Sequence, residues 1–172
     1  AAEEISADKL PGQLAPQMTG LVNRMQRIID QLRAFGRQSP DNPGDFSLSD
    51  AVEGAIGLVR HDADTLGVEV ATSLEDNLRV TGSQAKFEQV VIKRLRNGMD
   101  AIEEAGGGKL CVDLIRAGDI AQLRVTDTGP GIGSLDIADL QEPFFTTKPS
   151  GRGMGLGLAI SAQIIDEIGG RI

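Results

Sequence analysis

Apolar residues recur along this chain in two rhythms, one helical and one alternating. Leu14, Met18, Leu21, Met25, Ile28, Leu32 and Phe35 are spaced by alternating fours and threes, the seam of a coiled coil or helical bundle. Pro16 falls in the first turn of this predicted helix, and Gln38-Ser-Pro-Asp-Asn-Pro-Gly44 follows it as a linker. Such a stripe can pack on its own domain, but its narrowness and the linker favour a dimerisation helix. Phe46-Ser-Leu48 reads as a short strand and Ser49 to Val59 as a helix. Val68 to Leu74 and Leu78 to Val80 read as strands paired with each other across Glu75-Asp-Asn77. Thr81-Gly-Ser83 opens a helix from about Gln84 to Ala105, ended by Gly106-Gly-Gly108. Lys109 to Ile115 and Gln122 to Thr126 make a second strand pair across Ala117-Gly-Asp119. Ile137 to Leu140 makes at most one or two helical turns, and an apolar helix follows from about Gly155 to Ile168. Tight hairpins among mixed strands and helices predict an α+β, two-layer α/β sandwich with an antiparallel or mixed sheet on helices, not a doubly wound fold.

Composition narrows the function classes. The 172 residues are 40% hydrophobic but only 3% aromatic, without Trp or Tyr. The core is therefore aliphatic, and no stacking platform for nucleic acid is expected. A net charge of −8 disfavours a phosphate-backbone or anionic-membrane surface. The single cysteine, Cys111, allows no intrachain disulfide; within an apolar alternating run it reads as a buried structural thiol. No apolar run approaches a membrane span and no signal-peptide pattern is present, so the segment reads as soluble and cytoplasmic.

Candidate chemistry gathers in three places. Asp127-Thr-Gly-Pro-Gly-Ile-Gly133 puts a carboxylate at a strand end, followed by Gly129, Gly131 and Gly133 on alternate positions. Such a loop lets backbone come close to a flat polar ligand. On the helix from Gln84, steps of about 100° bring Lys93, Asn97 and Asp100 onto one flank of an apolar stripe that includes Phe87, Val91, Gly98 and Ile102. A neutral amide there is an oxygen donor to a hard cation such as Mg²⁺. Finally, Gly151-Arg-Gly-Met-Gly-Leu-Gly-Leu158 runs into a helix, with Lys148 and Arg152 nearby. Glycines ahead of a helix N-terminus offer free N–H groups to anionic oxygens.

In this order the segments resemble the boxes of the GHKL ATPase domain of sensor histidine kinases. Leu95-Arg-Asn-Gly-Met-Asp-Ala-Ile102 is similar to the N box and Asp127 to Gly133 to the G1 box. Glu142-Pro-Phe-Phe-Thr-Thr-Lys148 with Gly151 to Leu158 is similar to the F and G2 boxes. The wording resembles most the nitrogen-regulation and dicarboxylate-sensing branch, and Met18 to Phe35 resembles the second helix of its dimerisation and phosphotransfer bundle. The resemblance implies a dimerisation helix in 1–40 and an ATP-binding catalytic domain over 45–172. It implies transfer of the ATP γ-phosphoryl group to a histidine, then to a response regulator. Asp127 would accept a hydrogen bond from the adenine amino group. Gly129, Gly131 and Gly133 would leave room for the base, with Ile132 beside it. Asn97 would ligate Mg²⁺, with Asp100 beside it. Phe144 to Arg152 would form a lid over the nucleotide, including Phe145, Thr146 and Thr147. Gly153, Gly155, Leu156, Gly157 and Leu158 would line the phosphates. Lys148, assisted by Arg152, would supply charge to the transfer. ATP and Mg²⁺ are thus the implied ligands, and a homodimer through 14–35 and a receiver domain the implied partners.

Three departures qualify the resemblance. The N box of the family usually begins Asn-Leu-Leu, where this chain has Lys93-Arg94-Leu95. An ammonium at Lys93 could bind phosphate directly or repel Mg²⁺. Arg94 is expected in the centre of the apolar stripe, where it must reach solvent, pair with an acid or shift the helix. His61 in His61-Asp-Ala-Asp-Thr65 superficially matches a phosphoacceptor, but its position after the linker makes it a surface residue ending a helix, and the acceptor is expected outside this chain. Gly169-Gly-Arg-Ile172 leads, in the family, into two further strands, so the sheet is expected to lack an edge. Two alternatives follow: an inert nucleotide-binding or dimerisation module, and a chaperone, topoisomerase or mismatch-repair type of GHKL ATPase. The latter use a water-activating glutamate at the position of Lys93, so its absence counts against them.

Overall fold

A computed structural model describes residues 43–134, 136, 140, 145–146 and 155–172. All belong to the second of the two units into which the chain divides, 41–172. The expected bundle helix over 14–35 lies outside the described residues; so do 137–139 of the short stretch expected over 137–140, where Leu140 is described and its N–H donates to the Asp136 carbonyl at 3.3 Å.

The elements follow in the order β1 (Gly44–Ser47), α1 (Leu48–Leu66), β2 (Val68–Leu74), β3 (Arg79–Gly82), α2 (Gln84–Glu104), β4 (Gly108–Ala117), β5 (Ile120–Asp127) and α3 (Gly157–Glu167). The Ser47 side chain opens α1 by accepting the Asp50 N–H at 3.3 Å, which satisfies one of the unpaired amides of a first turn. Ser83 holds the same position before α2. Helical spacing then buries Leu48, Ala51, Val52, Ala55, Ile56, Val59 and Ala63 on α1. On α2 it buries Phe87, Val90, Val91, Leu95, Gly98, Met99 and Ile102. The two stripes form one core with Val68, Leu110, Val112 and Leu114 of the sheet. Burial alternates along β4, so helices cover one face of the sheet. The residues between, on β2 and β4, form the ion pair Glu69–Lys109 at 2.8 Å. Two layers therefore enclose the core, as expected.

Sheet order corrects one expectation. β2 pairs with β4 in parallel, from Val68↔Gly108 to Leu74↔Leu114, and β4 pairs with β5 antiparallel, from Leu110↔Asp127 to Ala117↔Ile120. β3 pairs instead with β1, Gly44↔Gly82 to Ser47↔Arg79. The β2–β3 hairpin does not form. The Glu75 N–H still bonds the Leu114 carbonyl at 2.9 Å, prolonging the parallel ladder. The chain then turns at Asn77, whose φ is 61°, and buried Leu78 accepts the Leu48 N–H at 2.9 Å. Alternation reports which face of a strand is buried, not which edge it pairs with. A parallel neighbour needs a long crossover, here β3 and α2.

Two smaller expectations change. α1 runs on to Leu66, so exposed His61 lies inside it, its carbonyl accepting the Thr65 hydroxyl at 2.8 Å. Cys111 is free and half-buried, because it alternates with buried Leu110 and Val112.

Candidate functional site

The site forms where α2 lies against the end of β5. A Cβ at Gly98 would stand 2.5 Å from Leu110 Cδ1 and 3.4 Å from Asp127 Cβ. Only a glycine lets the helix approach this closely. Asp127 closes β5, opposite Leu110 in the ladder. Its Oδ1 accepts the Gly129 N–H at 3.0 Å, which turns the chain back over α2. There a Cβ at Gly129 would stand 2.7 Å from Ala101 Cβ. Thr128 ties the base of the loop to β4: its Oγ1 accepts the Lys109 N–H at 2.9 Å and its own N–H donates to the Lys109 carbonyl at 3.2 Å. Gly131 and Gly133 take left-handed φ values of 71° and 60°, and Ile132 between them is 50% exposed.

Asn97 stands next to Gly98, exposed to solvent. It shares its flank of α2 with half-buried Lys93 and Asp100, at the spacing that makes helix residues neighbours. At the Lys93 end the flank meets α3. Lys93 Cε and Arg94 Nη2 each lie 3.8 Å from the position of a Cβ on Gly157, the first residue of α3. Gly155 has a φ of 67°; Leu156, Gly157 and Leu158 are half-buried. Among the described residues no side chain caps this helix start.

Arg94 departs from its expected place. Leu95, Val91 and Gly98 carry the buried stripe, while Arg94 sits half-buried at its edge, beneath α3. Its Nη2 donates to Ser161 Oγ at 3.5 Å, the outer limit of a hydrogen bond. Ser161 is fully buried and donates its own proton to the Gly157 carbonyl at 2.8 Å. The Arg94 Nε is buried without a hydrogen-bond partner. Burial lowers the guanidinium below its ordinary value. Burial, then the adjacent Arg94 charge, lower the Lys93 ammonium in the same way.

The structure thus gathers Asp127 and Gly129 against Gly98 and Ala101 of α2, and Gly157 against Lys93. Phe145 is half-buried and Thr146 exposed. Phe144, Thr147, Lys148, Arg152 and Gly153 lie outside the described residues. Residue types alone did not single out Ala101, Thr128 and Ser161 as parts of the site. Gly98 carried a signal, since a glycine inside a helix costs about 1 kcal/mol against alanine unless packing requires it.

For a metal ion, the described oxygens on this flank of α2 are the Asn97 amide and the Asp100 carboxylate. No group of three or more His, Cys, Asp or Glu that could hold a metal occurs among the described residues. So small a set suits an ion that brings its other ligands with it, as Mg²⁺ does with phosphates.

The sequence profile described as histidine kinase-, DNA gyrase B- and HSP90-like ATPase matches residues 82–172. The chain belongs to this ATPase family. The match runs through α2, β4, β5 and α3, the elements that build the site. Among its relatives, the C4-dicarboxylate transport sensor protein DctB of Pseudomonas aeruginosa is 33% identical over 91% of this chain and 26% of its own length. DctB of Rhizobium meliloti is 36% identical over 88% of this chain and 24% of its own length. The chain therefore spans about a quarter of these relatives. The catalytic domain of histidine kinase ThkA superposes with a TM-score of 0.65 at 26% identity, over 73% of this chain and 82% of that one. Histidine kinase ThkA in complex with response regulator TrrA matches in fold, with a TM-score of 0.68 at 20% identity, over 98% of this chain and 47% of that one. The mixed sheet packed on helices is thus the architecture of histidine kinase catalytic domains. Among the described residues no helix is long and apolar enough to cross a membrane.

Proposed function

We propose that this chain is the ATP-binding catalytic region of a sensor histidine kinase. One observation carries the reading: Asp127 is packed on Gly98, beside Asn97, within a segment matched to an ATPase family. With Oδ1 engaged by the Gly129 N–H, Oδ2 accepts the adenine amino group. Gly129, Gly131, Ile132 and Gly133 pass along the base. Gly155, Leu156, Gly157 and Leu158 bring α3 N–H groups to the phosphates. Phe145, Thr146 and Thr147, with Lys148, Arg152 and Gly153, enter this proposal through the resemblance of the lid segment. Asn97, with Asp100 beside it, would hold Mg²⁺ arriving with the phosphates, and the ion would neutralise their charge. The protein's part in phosphoryl transfer is then positioning and charge. The bond from the γ-phosphorus to its bridging oxygen breaks, a bond to an imidazole nitrogen forms, and ADP leaves.

The chain's single histidine, His61, lies within α1, so the acceptor would be a histidine on a bundle helix outside this chain, and the phosphoryl group would pass on to a response-regulator aspartate. The reading includes a homodimer through 14–35 and a cytoplasmic setting, where ATP is available. The full chain, incubated with γ-labelled ATP and a separately supplied bundle helix bearing a histidine, is expected to label that helix, and Asp127→Ala to abolish the labelling. Nucleotide binding without label would favour an inert nucleotide-binding module, a reading that rests on the unpartnered Arg94 Nε beside the phosphate end of the site.

A further inference from the structure

Positive charge is concentrated at one point of an acidic chain whose net charge is −8. Lys93 and Arg94 are adjacent and both pack on Gly157. Among the described residues no side chain caps the first turn of α3, so its N–H groups add the positive end of a helix dipole. Among the described residues the ion pairs use other cations: Arg79, Lys86, Arg96, Lys109 and Arg116. Burial, then the repulsive charge of Arg94, lower the Lys93 ammonium. Arg94, held under α3 at Ser161, keeps a buried Nε without a partner. Like charges brought together and partly desolvated cost free energy until an anion completes the arrangement. Lys93 is the member able to reach one. Its stem lies along Gly157, and it shares its flank of α2 with exposed Asn97.

We propose that Lys93, backed by Arg94 and the first turn of α3, binds the phosphate chain of the nucleotide directly, so that polyphosphate affinity persists without a divalent cation. This rests on the nucleotide reading above. Fixed side-chain charge then does part of what a metal ion does for a polyphosphate, one turn from the Asn97 amide that would hold the ion. Lys93 is in this sense a specificity residue for the number of phosphates.

Calorimetry on the full chain tests the proposal, with ATP, ADP and AMP titrated in excess Mg²⁺ and again in EDTA. ATP affinity in EDTA is expected within about threefold of that in Mg²⁺. Lys93→Asn is expected to weaken ATP in EDTA by about tenfold or more while leaving AMP unchanged, and Lys93→Arg to retain ATP binding. Tripolyphosphate in EDTA is expected to displace ATP from the unaltered chain. Circular dichroism melts establish that each variant is folded. Loss of ATP binding in EDTA by the unaltered chain, with binding in Mg²⁺ intact, overturns the proposal and leaves the nucleotide site standing. So does a folded Lys93→Asn variant whose ATP affinity in EDTA is unaltered. Failure of all three nucleotides to bind under both conditions overturns the nucleotide reading, and the proposal with it.

Discussion

Arg94 is the residue at which local chemistry and packing disagree most. Its stem lies between α2 and α3, its Nη2 reaches a serine at the edge of bonding distance, and its Nε has no partner. A buried donor left unsatisfied costs about 1–3 kcal/mol. Replacing Arg94 by leucine is therefore expected to raise the thermal midpoint by roughly 3–10 °C, read by calorimetry; an unchanged midpoint would show that the guanidinium is better solvated than its surroundings indicate. Gly98 presents the opposite case, a residue that fits because it has no side chain. Gly98→Ala drives a methyl group toward Leu110 and Asp127, and overpacking of this kind costs about 1–3 kcal/mol. Because the displaced neighbour is Leu110, the ladder partner of Asp127, the same variant is expected to weaken adenine nucleotides more than inorganic tripolyphosphate, which a general loss of stability would not do. Asp127 and Asn97 were singled out by residue type and position. The contact of Asp127 with Gly98 was not, since it depends on how closely α2 and β5 approach.

At the scale of elements, the helices were easier to read than the sheet. α2 begins at Gln84 and ends at Glu104, close to the expected limits, because a capping serine and a glycine run mark both ends in the sequence itself. β4 and β5 were readable as a pair because their turn is short and polar. β2 was assigned the wrong neighbour because its true partner lies beyond β3 and α2, and no local signal names a parallel partner. α1 extended past its expected end because Gly57, Arg60 and Asp62 interrupt the pattern of residue types without interrupting burial, which continues to Ala63. The start of α1 depends on Ser47. Ser47→Ala is expected to cost about 1 kcal/mol, measured as a lower urea midpoint at unchanged slope; a value near zero would mean that β1, rather than the hydroxyl, fixes the helix start.

Across the whole molecule, the two halves of the proposed site are built differently. Asp127, Gly98 and Ala101 come from neighbouring elements that share the main core. The phosphate side relies on α3, which returns to α2 through the Lys86–Glu167 ion pair at 2.9 Å and the Arg94–Ser161 contact. Ser161 is the one residue of α3 that is fully buried, and Ile165 packs only partly against the core. So sparse an attachment means that α3 can open while the rest of the domain remains folded. In native-state hydrogen exchange the amides of 157–167 are expected to exchange by local opening, at conditions where those of Leu110, Val112 and Leu114 require global unfolding. A nucleotide that binds only the closed form would slow exchange at α3 in proportion to its free concentration and leave β4 nearly unaffected. Equal slowing at both would mean that α3 and the sheet unfold as one unit. Occupancy would then be recorded in how long one helix keeps its protons.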